Sequence, residues 1–130
     1  MIPGSESTEI ARPGSSAEWT EHALERLASG EAAQAAEAFR AALQADYENI
    51  EAHHGLVRAL CNAGKPDAAV VAALALTVLT PNDPLAHTGL SIALQQAGKI
   101  PQAEAAAGRA RILEWKQQLI EDEETHADIP

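Results

Sequence analysis

Aromatic residues make up only 3% of this 130-residue chain, and runs of β-branched residues are nearly missing. A pleated sheet packs those side chains best, so their scarcity argues against strands, and abundant alanine favours helix almost throughout. Cysteine occurs once, as Cys61, which excludes an internal disulfide framework and fits a reducing cytoplasm. No stretch approaches the roughly 18 uninterrupted apolar residues of a membrane span. The opening MIPGSESTEIARPG also lacks the charged-then-apolar order of an export signal, so a cytoplasmic protein is expected. Positive charge is scarce too: 9 Lys and Arg stand against 19 Asp and Glu, a net charge of -10. Such a surface repels phosphate backbones and acidic membranes, which excludes nucleic acid and membrane as expected partners.

What is present is a period. Gly30, Gly64 and Gly98 stand 34 residues apart. Overlaying 52–69 on 86–103 matches ten of eighteen positions, among them His53/His87, Gly55/Gly89, Leu56/Leu90, Leu60/Leu94 and Lys65/Lys99. A fixed period of this length marks an array of helical repeats. Within one period, Leu56, Ala59, Leu60 and Ala63 recur at helical spacing, and Gly64 ends that helix with a left-handed residue. Pro66 and Pro101 suit the first turn of the helix that follows, and TPNDP from Thr80 breaks, turns and caps. The first copy, with Trp19, Gly30, Ala35, Phe39, Ala42 and Leu43 in register, is the most divergent.

These residues resemble the tetratricopeptide repeat (TPR) pattern, whose 34-residue unit pairs a helix with a second, closely packed one. Trp19, Ala23, Leu56 and Leu90 fill the family's large, small and leucine positions in the first helix. Ala35, Ala69 and Ala103, Phe39, Ala42 and Ala110, and Pro81 fill those of the second helix and its end. His53 and His87 depart from the large position, and Ala73 and Ala107 from the aromatic one. The resemblance implies an all-α fold: a right-handed solenoid of three helix-turn-helix units at 16–49, 50–83 and 84–117. A disordered leader (1–15) and an acidic disordered tail (122–130) flank the domain.

The resemblance further implies a protein-binding module whose first helices line a concave groove. Its register places Glu21, Leu24, His54, Arg58, Asn62, Thr88, Ile92, Gln95 and Gln96 there, together with Thr20, Gly55, Leu85 and Gly89. The clamp of lysines, asparagines and an arginine with which some family members hold an acidic chaperone tail is missing, since Thr20, Leu24, Gly55, Leu85 and Gly89 occupy its positions. The two glycines either open the groove floor or permit tight helix packing. Arg58 either receives a partner carboxylate or pairs internally with Glu51 or Glu21. A small acidic TPR chaperone for a secreted protein, and a regulatory subunit of an enzyme, are the alternatives to an adaptor.

Catalysis, cofactors and metals are not expected. His53 and His87 occupy equivalent repeat positions and read as structural, and no histidine pair joins cysteine or carboxylate at zinc spacing. Cys61, two turns from His54, reads as a small apolar residue, and Glu18, Glu21 and Glu25 as a solvated face. RILEWKQQLIE contains no helix breaker, so the last helix is expected to continue to about Glu121, with Ile112, Trp115 and Leu119 on one face. That stripe is a second candidate interface. Its cover is either the chain's own third repeat, through Ala107 and Arg111, or a second copy, making the protein a monomer or a weak homodimer. Residues 84–117 carry about +2 and 118–130 about -5, so salt would screen the attraction between copies.

Overall fold

The structure is a computed structural model that describes residues 13–127, without the side chains of residues 126 and 127. Among these residues there are six helices and no strand: α1 (Ser16–Ala28), α2 (Ala32–Ala45), α3 (Ile50–Asn62), α4 (Pro66–Leu79), α5 (Pro84–Gln96) and α6 (Ile100–Ala127). They form an all-α helical repeat in which each first helix is followed by a glycine turn and a second helix. Gly30, Gly64 and Gly98 have φ of 80°, 72° and 80°. At Gly30 and Gly98 the turn closes with a six-residue bond, Glu31 N–H to the Arg26 carbonyl and Lys99 N–H to that of Leu94. Only a residue without a Cβ adopts this left-handed turn at no steric cost, which explains the 34-residue interval.

The first helices carry side-chain caps, whereas α2 and α4 do not. Ser15 makes a reciprocal capping box with Glu18, while Asn49 and Asp83 accept from Ala52 N and Leu85 N. α2 and α4 start straight out of the glycine turn without such a bond. Ser15 therefore belongs to the helical fold, where the sequence expected a leader reaching to residue 15; residues 1–12 of that leader lie outside the described residues. Glu18 is exposed, as on a solvated face, and also serves the cap.

The chain divides into two compact units at the Ala63–Gly64 junction, inside the second repeat. In unit 1, α2 packs against α1 and α3, and α1 also touches α3. Phe39 is completely buried, and the surrounding core is alanine with leucine. In unit 2, α5 packs against α4 and α6 over Ala73, Leu76, Ala86, Leu90, Leu94, Ala103, Ala106, Ala110 and Leu113. Alanine at these sites lets helix axes approach closely. The last helix exceeds the expected end near Glu121 and continues to Ala127, where glutamates, good helix formers, replace any breaker. Residues 128–130 of the expected tail lie outside the described residues.

Candidate functional site

The candidate groove residues fall into two sets, one on each unit. On unit 1, Glu21 and Leu24 are exposed on α1, Arg58 and Asn62 are exposed on α3, and His54 is half-buried. On unit 2, Ile92, Gln95 and Gln96 are exposed along α5 beside the half-buried Thr88, whose hydroxyl donates to the Pro84 carbonyl. Arg58 has no ion pair with Glu21 or Glu51; the pair found among the described residues is Arg26–Glu31 at 2.8 Å. Its guanidinium is exposed, and such a group offers five donors in a planar fork that matches a carboxylate.

Two residues expected in the groove belong to the core of unit 1 instead. Thr20 is 2% exposed. Its hydroxyl donates to the Ser16 carbonyl at 2.8 Å and accepts from Asn49 Nδ2 at 3.0 Å. The same amide reaches Ser16 Oγ, which donates to the Ala42 carbonyl. One asparagine thus caps α3 and ties it to α1, leaving Thr20 no free face. Gly55 is buried under Phe39, and a Cβ there would run into the ring. Of the two roles open for Gly55, packing is the one it fills.

The two equivalent histidines are structural in the same way. His53 Nε2 donates to the Tyr47 carbonyl at 2.7 Å and His87 Nε2 to the Pro81 carbonyl at 2.8 Å, a bond to the residue six positions earlier in each case. A carbonyl only accepts, so both rings carry their proton on Nε2. His53 is also buried, edge-on to the Tyr47 ring. Each histidine fastens the loop that precedes its helix, in place of the bulky residue the repeat pattern prefers.

Burial pushes the Cys61 thiol up, the opposite of what an attacking thiolate needs. Among the described residues no three His, Cys, Asp or Glu side chains gather as they would around a metal ion. No described helix is long and apolar enough to cross a membrane.

Two open clefts were not foreseen. On unit 1, one of mixed polar and apolar lining and about 490 Å³ runs between α1 and α2, past Trp19, His22, Arg26 and Glu37. On unit 2, an apolar one of about 580 Å³ is lined by Val70, Leu74, Leu90, Leu94 and Ala106, with Lys99 and Gln102 at its edge. Its signal was α4, whose run AAVVAALALTVL is apolar all round and so leaves Val71, Leu74 and Val78 exposed wherever unit 2 does not cover it.

The tetratricopeptide repeat family profile matches residues 26–88. No curated protein matches the chain by sequence. Among solved structures, the chain is similar to the type III secretion translocator chaperone SycD of Yersinia enterocolitica. That likeness has 20% identity and a TM-score of 0.73 over 85% of this chain and 84% of that one. A second SycD structure, solved with a peptide of the translocator YopD, matches at 21% identity and a TM-score of 0.70, covering 80% and 83%. The second TPR of Spaghetti (RPAP3), bound to the HSP90 peptide SRMEEVD, matches at 16% identity and a TM-score of 0.71, covering 83% and 98%. At these identities the likeness is one of fold.

Proposed function

We propose that this chain, whose residues 26–88 match the tetratricopeptide repeat family profile, is a cytoplasmic protein-binding module, an adaptor or scaffold rather than a catalyst. It takes a peptide or helical segment of another protein on the exposed faces of its first helices. The observation that carries this reading is Arg58, an exposed cation without an internal ion pair on the unit that also exposes Leu24. A ligand bearing one carboxylate and one apolar side chain suits that face, with affinity on the order of micromolar, about -8 kcal/mol. The acidic chaperone peptide does not suit it, because Thr20 and Gly55 are spent on the core and Leu24 is aliphatic.

Affinity capture from the source cell, read by mass spectrometry, tests the proposal with matched charge reversals. The wild type and Arg40→Glu, a change at an exposed position of α2, are expected to recover the same partner. Arg58→Glu is expected to lose it while its helical circular dichroism stays unchanged. Equal recovery by both variants sinks the assignment. A second reading, a small chaperone for a secreted protein, is favoured by the likeness in fold to a secretion chaperone solved with a translocator peptide; recovery of exported proteins selects it.

A further inference from the structure

α6 is apolar on two opposite faces, and only one of them is packed. Ala103, Ala106, Ala110 and Leu113 are buried against α5. Gly108, Ile112, Trp115 and Leu119, spaced four, three and four residues apart, lie roughly 160° around the helix at 100° per residue. Ile112, Trp115 and Leu119 are 47%, 61% and 49% exposed, so the third repeat does not cover them, which corrects the first of the two covers the sequence allowed. Alternating four- and three-residue spacing is the seam by which one helix packs against another.

The charges flanking this seam identify its occupant. Arg109 and Arg111 stand on the N-terminal side of Trp115, and Glu121, Asp122, Glu123 and Glu124 on the C-terminal side, all exposed and without ion pairs among the described residues. Four acids in succession at a helix C-terminus repel one another and oppose the helix dipole. We propose that the seam is the interface of a homodimer in which two copies of α6 cross antiparallel at Trp115. A two-fold axis beside Trp115 sets Ile112 against the partner's Leu119, and Arg109 and Arg111 beside the partner's Asp122 and Glu123. A parallel pairing would set acid on acid and arginine on arginine. The antiparallel one neutralises both ends and supplies cations where the dipole wants them. The seam covers about three turns of one helix, far short of the roughly 800 Å² per partner of a standard interface, so the dimer is weak and salt-sensitive. It does not rest on the binding face of Arg58.

Sedimentation equilibrium of the full chain over a concentration series, at low and high salt, tests this. The wild-type mass is expected to rise from one copy to two across the micromolar range, with weaker association in high salt. Trp115→Ala is expected to raise the dissociation constant about tenfold or more. So is either charge reversal, Arg109→Glu with Arg111→Glu, or Asp122→Lys with Glu123→Lys; all these side chains are exposed, so circular dichroism stays at the wild-type level. Combining the two reversals in one chain is expected to restore the dimer. A monomer at every concentration overturns the proposal and gives the seam to a different protein. A dimer that Trp115→Ala leaves intact overturns it too, and failure of the combined reversal to restore association overturns the antiparallel pairing.

Discussion

Unit 1 and unit 2 descend from one repeat pattern yet solve the packing problem differently. In unit 1 a single large ring, Phe39, fills the space left by Gly55, and the Ser16, Thr20 and Asn49 side chains bond across helices. In unit 2 the positions equivalent to Phe39 and Gly55 are Ala73 and Gly89, so no ring stands there, and the apolar surplus appears outside, on Val71, Val78, Leu85, Ile92 and Trp115. Aromatic bulk used internally closes a unit. Where alanine replaces it, aliphatic side chains remain on the surface, at sites another chain can cover.

The sharpest way to break this contrast is to add one methyl group at each equivalent glycine. Gly55→Ala drives a Cβ into the Phe39 ring and is expected to cost about 1–3 kcal/mol, seen as a lowered melting temperature. Gly89→Ala is expected to stay within about 1 kcal/mol of wild type, because its repeat-equivalent neighbour is alanine and alanine is the better helix former. Adding Phe39→Leu to Gly55→Ala is expected to recover part of the loss, a coupling that a double-mutant cycle reads directly. Equal costs at the two glycines would show that the units are packed alike.

Next in size are the loop-fastening histidines. His53→Ala removes a buried ring, its contact with Tyr47 and a part-buried bond to the Tyr47 carbonyl, for an expected cost of about 2 kcal/mol. His87→Ala breaks the same bond where the ring is only half-buried, so about 1 kcal/mol or less is expected from thermal denaturation. A reversed order would place the rigid loop in unit 2.

The period and its turns were legible in the sequence because they depend on local chemistry: a left-handed glycine, a capping Asp83 and a proline at the start of α4 or α6 each act within a few residues. The structural role of His53 and His87 was legible from their shared register. What escaped depends on contacts between helices. Nothing within α1 marks Thr20 as buried, since Asn49, 29 residues away, makes it so. Gly55 meets Phe39 across a helix boundary, and neither residue signals the other. The candidate residues on the outer faces, Arg58, Ile92 and Gln95 among them, were named from the repeat register, and the partner that would organise them is not encoded in helical spacing.

The smallest effect belongs to Cys61. Its thiol is pushed up by burial, so the neutral form contributes stability that is fully present below the ordinary thiol value and lost as pH rises through the raised one. Alkylation by a maleimide is expected to be slower than for a free thiol near neutral pH, and to accelerate at a higher pH than the unfolded chain requires. A rate matching that of the urea-unfolded protein would show that α3 opens readily in unit 1.

The chain has two tryptophans, and each unit holds one. Trp19 is half-buried with the His22 ring 6.0 Å away and edge-on, whereas Trp115 stands mostly in water on α6. Their emission is therefore expected to be separable by colour and by collision, with Trp115 emitting at longer wavelength and more accessible to iodide than Trp19. A single fluorescence spectrum thus carries two optical channels, one for each half of the molecule. Loss of order in either half, or a second chain settling on α6, registers in its own channel without any added dye.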